Sequence, residues 1–165
     1  MPILVPVNMS LQFCPLQRAH ALAILSWRYP PPYDVYNLAP DDLADLLNPQ
    51  NAFFALMQPD NTLAGFCSFG PDGQVSGGRY DATALDVGIG LHPDLIGQGQ
   101  GQYYATAVVQ YGSTRFGARH LRVTIATFNL RAQRLWQRLG FEPVEQFCKT
   151  DSHQTFVIMV CAIKL

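Results

Sequence analysis

The sequence predicts an α/β (α+β) fold: one central mixed, mostly antiparallel sheet of about seven strands flanked by about four helices. Three observations predict it. Residues 85–92 alternate, with Leu85, Val87, Ile89 and Leu91 on one face and Asp86, Gly88, Gly90 and His92 on the other, as a strand does. Apolar residues recur at helical spacing over 102–116 and again over 129–139. Two pairs of apolar runs flank turn sequences, which is how hairpins read.

In chain order, residues 10–14 form a short first strand, and Leu16, Ala19, Ala23 and Trp27 define one face of a first helix. That helix ends before Pro30, Pro31 and Pro32, because proline cannot continue a helix. The loop 29–36 sets three tyrosines among those prolines. Residues 40–49 form a short helix: Pro40 suits the first helical position, Asp41 and Asp42 favour its positive end, and Pro49 stops it. Strands 52–58 and 62–70 make a hairpin around Pro59, Asp60 and Asn61. Residues 71–83, polar and glycine-rich, read as a mobile connection.

The helix 102–116 carries Tyr104, Val108 and Tyr111 beside Ala105, Val109, Gly112 and Phe116, a stripe broad enough to lie on a sheet, and Gly117 ends it. A strand follows at 120–127, with Leu121, Val123 and Ile125 set against Arg122 and Thr124. The helix 129–139 turns Ala132, Leu135, Trp136 and Leu139 inward and Arg131, Arg134 and Arg138 to water; Gly140 closes it. Strands 144–149 and 154–163 make a last hairpin.

The 165 residues are expected to form one domain. A composition 48% hydrophobic and 14% charged excludes a disordered chain. The net charge of -1 and the lack of a basic run speak against nucleic acid or an anionic membrane as main partner. No apolar run is long enough to span a bilayer, and the first residues lack the form of a signal peptide. Cys14, Cys67, Cys148 and Cys161 form no CxxC pair and read as buried reduced thiols, so a cytoplasmic protein is expected. No His/Cys/Asp cluster has metal-ligand spacing, so no metal is expected.

The stretch between strand and helix carries the chemistry. Gly97, Gly99 and Gly101 recur at every second position just before the helix, where backbone N–H groups can converge at the positive end of its dipole. That is a cradle for an anion, and a diphosphate fits it. The spacing is not GxGxxG, because position 102 is Gln, and it lacks the Gly-Lys-Ser/Thr of a P-loop.

Residues 91–101 resemble the Arg/Gln-x-x-Gly-x-Gly/Ala motif of the GNAT acetyltransferase superfamily. Residues 123–141 resemble its second signature: a strand, Asn129-x-x-Ala132, an aromatic residue at 136, then Gly140-Phe141. The two span residues 85–141, the order of elements is that of the GNAT fold, and the stretch 27–37 resembles a little-characterised bacterial subgroup.

The resemblance implies an enzyme that moves an acetyl group from acetyl-CoA directly to a primary amine in a ternary complex, without a covalent intermediate. It places CoA contacts at Ile89, Gly90 and Leu91 on the strand, at Gly97, Gln98, Gly99, Gln100, Gly101 and Gln102 in the loop, and at Asn129 and Trp136. The Leu91 N–H would polarise the thioester carbonyl. Glycines at 88 and 90 would admit the pantetheine arm alongside the strand. Asn129 is equally a good helix N-cap.

Asp86 is the first candidate for the base and His92 the second, with Asp81 and Tyr80 behind them. Tyr33, Tyr36 and Trp27 are candidates for an aromatic acceptor wall. Two departures from the motif stand out: Ile96 replaces the leading Arg or Gln, and Trp136 stands where active members usually place a Tyr as general acid. The acceptor is read as a small-molecule amine or peptide N-terminus, and the protein as monomer or homodimer. The alternative is a non-catalytic acyl-CoA-binding or protein-interaction module on the same fold.

Overall fold

The computed structural model describes residues 10–164; the amino-terminal stretch read above for a signal peptide lies outside them. The strands are β1 (Gln12–Pro15), β2 (Phe53–Met57), β3 (Leu63–Phe69), β4 (Leu85–Leu91), β5 (His120–Ala126), β6 (Glu142–Cys148) and β7 (Thr155–Ala162). The helices are α1 (Arg18–Leu25), α2 (Leu43–Leu47), α3 (Gly101–Phe116) and α4 (Leu130–Arg138). One seven-stranded sheet runs in the order β1-β2-β3-β4-β5-β7-β6. All neighbours are antiparallel except β4 and β5, which are parallel and joined through α3.

Alternation along the strands divides the interior into two layers. Phe54, Leu56, Cys67, Phe69, Val87, Leu121, Val123 and Ile125 pack beneath α3 and α4 against Tyr104, Ala105, Val108 and Trp136. Phe53 points the other way and joins Ala21, Ile24, Trp27 and Leu46 from the α1–α2 side. Helix α3 lies close on the sheet because Gly112 has no side chain: a Cβ there would sit 2.4 Å from the Phe69 ring.

Several expectations need correction. The buried face of α1 is Ala21 and Ile24, with Ala19 and Ala23 exposed, because Ala21 and Ile24 are the positions that pack with Trp27, Leu46 and Phe53. The segment 40–49 opens as a 3-10 turn, Pro40–Asp42, before α2; Asp42 accepts the Ala39 N–H at 2.7 Å, so its carboxylate serves as a cap.

The connection 71–83, expected to be mobile, is pinned to the sheet. Gln74 donates to Asp86, the Tyr80 hydroxyl bonds Thr124 at 2.8 Å, Arg122 holds the Asp81 backbone oxygen, and Thr150 donates its N–H to Ser76. Its polar residues are there to satisfy buried partners on β4 and β5. Among the cysteines Cys67 is buried, Cys14 and Cys161 are half-buried and Cys148 is exposed, because it faces outward near the end of β6.

The β4 glycines also have a different cause from the one expected. A Cβ at Gly90 would lie 2.4 Å from the Phe66 ring, and one at Gly88 would lie 2.6 Å from the Ser68 hydroxyl. The room above them is filled by β3 side chains, not by a ligand. Gly90→Ala should therefore lower stability by about 1–3 kcal/mol. Urea unfolding of the variant checks this; an unchanged midpoint would contradict the packing described.

Candidate functional site

Strands β4 and β5 pair for only two residues, Leu85 with Leu121 and Asp86 with Arg122. Beyond that point β4 pairs only with β3, through Val87 to Leu91, and β5 only with β7. The strands part, and a slot opens between them toward their carboxyl ends. Asp86 accepts from Gly70 on the β3 side and His92 donates to Ala64 there, so the even-numbered residues of β4 face β3. The odd-numbered Val87, Ile89 and Leu91 turn their N–H and C=O groups into the slot, where no strand meets them.

At the mouth of the slot, the chain leaving each strand enters a helix. On the β4 side a 3-10 turn, Pro93–Leu95, leads to the glycine turn and α3. Gly97 and Gly99 take φ of +77° and +74°, and a Cβ on either would meet nothing within 4 Å. Glycine is required there for backbone conformation rather than for space. Gly99 is followed by Gln100 in a right-handed conformation, φ -101° and ψ -3°, and alternation of this kind lets consecutive N–H groups converge on one point. No side chain caps α3, so its first N–H groups stay open to an anion.

On the β5 side Asn129 caps α4, its side-chain oxygen accepting the Ala132 N–H at 3.1 Å. Its amide nitrogen donates to the Tyr36 hydroxyl at 3.2 Å. The loop 29–36 crosses the mouth, tied to both jaws. Tyr29 donates to the Leu91 carbonyl at 2.7 Å, and Tyr36 meets Asn129. Tyr33 and Tyr36 lie against Phe128, each with ring centroids 6.1 Å away, and the Arg131 guanidinium stands 4.2 Å over Tyr33. Burial pushes the Tyr29 phenol up to about 12. Burial also raises Tyr36, with the Asn129 hydrogen bond opposing it.

The structure brings Ile89, Leu91, the run Gly97 to Gln102, Asn129, Tyr33 and Tyr36 to one rim, while Gly90 turns its backbone groups to β3. Asp86, His92, Trp27 and Trp136 stand apart from that rim, as do Asp81 and Tyr80. Asp86 is 3% exposed and both its oxygens are engaged: Arg122 Nε donates at 2.7 Å, Arg122 Nη2 at 2.8 Å and Gln74 at 2.9 Å. A carboxylate so held is a poor receiver for an amine proton. It raises the pKa of Arg122 in turn, chiefly through those hydrogen bonds.

His92 Nδ1 accepts the Asp94 N–H at 3.1 Å, so in the neutral ring the proton sits on Nε2, and no free acceptor nitrogen faces outward. Trp27 is 8% exposed beneath His92 and Phe66, at centroid distances of 5.1 and 6.1 Å; it underlies a shallow pocket with His92 and Gln58 rather than joining the tyrosine wall. Trp136 is 3% exposed, edge-on to Phe141. Asp81 is exposed and bound to Thr83 and Arg122, and Tyr80 lies under the Arg122 guanidinium.

Sequence reasoning missed two residues. Arg122 could have been found: a lone arginine inside an apolar strand needs a carboxylate, and the same reading had already placed Asp86 on a buried strand. Tyr29 left no signal, since the contact with Leu91 joins positions 62 residues apart. Among the described residues no group of three His, Cys, Asp or Glu could hold a metal ion.

The family model described as Acetyltransferase (GNAT) family matches residues 19–141. Solved structures with the same fold include a chimera of the spermidine N-acetyltransferase SpeG from Vibrio cholerae and hSSAT, at 18% identity and TM-score 0.71, covering 92% of this chain and 95% of that one. A GNAT-family acetyltransferase from Bacillus anthracis matches at 13% and 0.70, covering 93% and 97%. The ribosomal-protein-S18-alanine N-acetyltransferase from Escherichia coli matches at 18% and 0.66, covering 94% and 96%. No curated protein matches the chain in sequence.

Asp86→Asn leaves the buried Arg122 with only the exposed Asp81 carboxylate as counter-charge, so it should cost about 3 kcal/mol of stability, the low end for breaking a buried ion pair. Chemical denaturation measures this. An unchanged unfolding curve with abolished turnover would instead restore Asp86 as a free base.

Proposed function

The chain belongs to the GNAT acetyltransferase family, whose model spans residues 19–141, and from that premise we propose that it transfers an acetyl group from acetyl-CoA directly to a primary amine. The observation that carries the reading is the slot itself: an unpaired edge of β4 leads straight to the glycine turn and uncapped amino end of α3. Acetyl-CoA has the matching parts. Its diphosphate suits the N–H groups of residues 97–102, and its amide-bearing arm suits the open N–H groups of Ile89 and Leu91 and the Ile89 carbonyl, the Leu91 carbonyl being held by Tyr29. Bound acetyl-CoA would supply an activated acyl group and a thiolate leaving group.

The protein's own contribution is then positioning and electrostatics. The Leu91 N–H holds the thioester carbonyl and stabilises the negative charge that grows on its oxygen. Asn129 orients the arm with whatever capacity remains beyond its cap. Tyr33 and Tyr36 wall the side from which the amine arrives. Ile96 offers no charge to the phosphates, so backbone donors bear that load.

With Asp86 paired and His92 engaged as an acceptor, the site is short of a strong base. An ε-amine at pH 7 lies about 3.4 units below its pKa, a deprotonation cost of roughly 4.6 kcal/mol, whereas an α-amine costs about 1 kcal/mol. The acceptor is accordingly an α-amino or other weakly basic amine, on a small molecule or a peptide N-terminus. In a thiol-release assay, kcat/KM for α-amines should exceed that for ε-amines at pH 7 and the gap should narrow as pH rises. A lysine preference at neutral pH would contradict this.

The second reading, a CoA-binding module without turnover, draws on the same engaged side chains and on Trp136. Acetyl-CoA at 100 times its Kd should add about 2.7 kcal/mol to stability under either reading. Turnover with any amine separates them.

A further inference from the structure

Helix α4 carries its charges against the usual pattern. Its first turn holds no Asp or Glu, and Arg131 stands there instead, at the positive end of the helix dipole, where a cation is disfavoured. Arg134 and Arg138 continue from it. At spacings of three and four residues the three share one face, and all three are exposed. Residues 127–141 include no Asp or Glu, so no carboxylate at helical spacing offsets the row. Among the described residues none of the three forms an ion pair; Arg131 lies over the Tyr33 ring, 4.2 Å away, which supports it without a counter-charge. A local rule broken with no gain inside the fold is expected where a partner supplies the gain.

The row starts at the mouth of the slot. Tyr33 and Tyr36 lie against Phe128, and their sequence neighbours Val35 and Leu130 are 58% and 55% exposed. Of the seven large apolar side chains exposed among the described residues, Val35, Tyr36, Phe128 and Leu130 gather in this one corner. Apolar surface collected beside a binding slot marks a contact site. From it the cationic row leads away along α4, and Arg131 to Arg138 spans about 10 Å, the length of roughly three extended residues.

We propose that the acceptor is the amino terminus of a peptide or protein with an apolar first residue and acidic residues directly after it. The proposal rests on the acyl-transfer reading above and narrows its acceptor. The first side chain lies on Val35, Tyr36, Phe128 and Leu130, and the carboxylates that follow pair with Arg131, Arg134 and Arg138. Transfer forms the C–N bond at the α-nitrogen and breaks the C–S bond with its electron pair on sulfur; the surplus proton on nitrogen passes to solvent. Exposed ion pairs each add little affinity, so the row acts by steering the right chain and rejecting wrong ones. A polyamine is repelled by the same arginines. A nucleic acid needs a wider basic surface than three arginines on a chain of net charge -1.

Thiol release with five-residue peptides of one design tests this: leucine first, then three aspartates, three serines or three lysines. At low salt kcat/KM should fall in that order, by about tenfold from aspartate to lysine, and the gap should shrink as ionic strength rises. Arg134→Glu and Arg138→Glu change exposed positions and should melt within a few degrees of the parent. Each should raise KM for the aspartate peptide about fivefold with kcat much less affected, and the double variant should turn the preference toward the lysine peptide. Calorimetric affinity of both variants for acetyl-CoA should match the parent's.

Equal kcat/KM for the three peptides overturns the proposal and leaves acyl transfer intact. Thiol release with small α-amines but with no peptide does the same. If the arginine variants instead weaken acetyl-CoA, the row serves the phosphates of CoA and the proposal falls. If the unaltered chain binds acetyl-CoA but releases no thiol with any amine, the acyl-transfer reading falls and this proposal falls with it.

Discussion

The site depends on where two parallel strands stop being neighbours. Asp86 and Arg122 face each other at the last paired position of β4 and β5, bidentate and almost fully buried. Below that point the sheet is continuous; above it, each strand keeps only its outer partner. The ion pair ties the strands together where they part, and the loop 71–83 closes around it through Gln74, Asp81 and Tyr80. Had the pairing continued, the N–H and C=O groups of Ile89 and Leu91 would be spent on β5. Because it stops, both N–H groups and the Ile89 carbonyl remain available inside the sheet, and the Leu91 carbonyl is met by Tyr29 instead of a strand.

The second constraint follows from parallel direction. Parallel strands end on the same side, so the helices that follow them also begin there, and ligands collect at such carboxyl ends. In this chain the two helix starts are handled differently. Asn129 closes the amino end of α4 with its own side chain, while α3 begins behind Gly97 and Gly99 with no cap. One end is finished by an Asn side chain and the other keeps its first N–H groups free of any side-chain cap.

The sequence was informative where local chemistry decides structure. The alternation of 85–92, the helix at 102–116, the hairpin at Pro59–Asn61 and the stop at Gly117 each follow from spacing or turn residues, and together they give the order of elements along the chain. The glycine turn was legible for the same reason: positive φ is a property of single residues. What stayed hidden depends on pairs far apart in the chain. Nothing near Gly90 announces Phe66, nothing near Asp86 announces Arg122, and nothing near Tyr29 announces Leu91. A buried carboxylate looks like a candidate base until its partner is in view. The polar loop 71–83 looks mobile until its side chains are seen to satisfy groups on the sheet.

The central claim is that the slot between β4 and β5 and the open end of α3 form one continuous site for acetyl-CoA. A crystal structure with acetyl-CoA bound tests it most directly. The account predicts the diphosphate on the backbone N–H groups of residues 97–102, the arm running along β4 beside Ile89 and Leu91, and the thioester oxygen on the Leu91 N–H. Acetyl-CoA bound on another face of the sheet, with the glycine turn untouched, would contradict it.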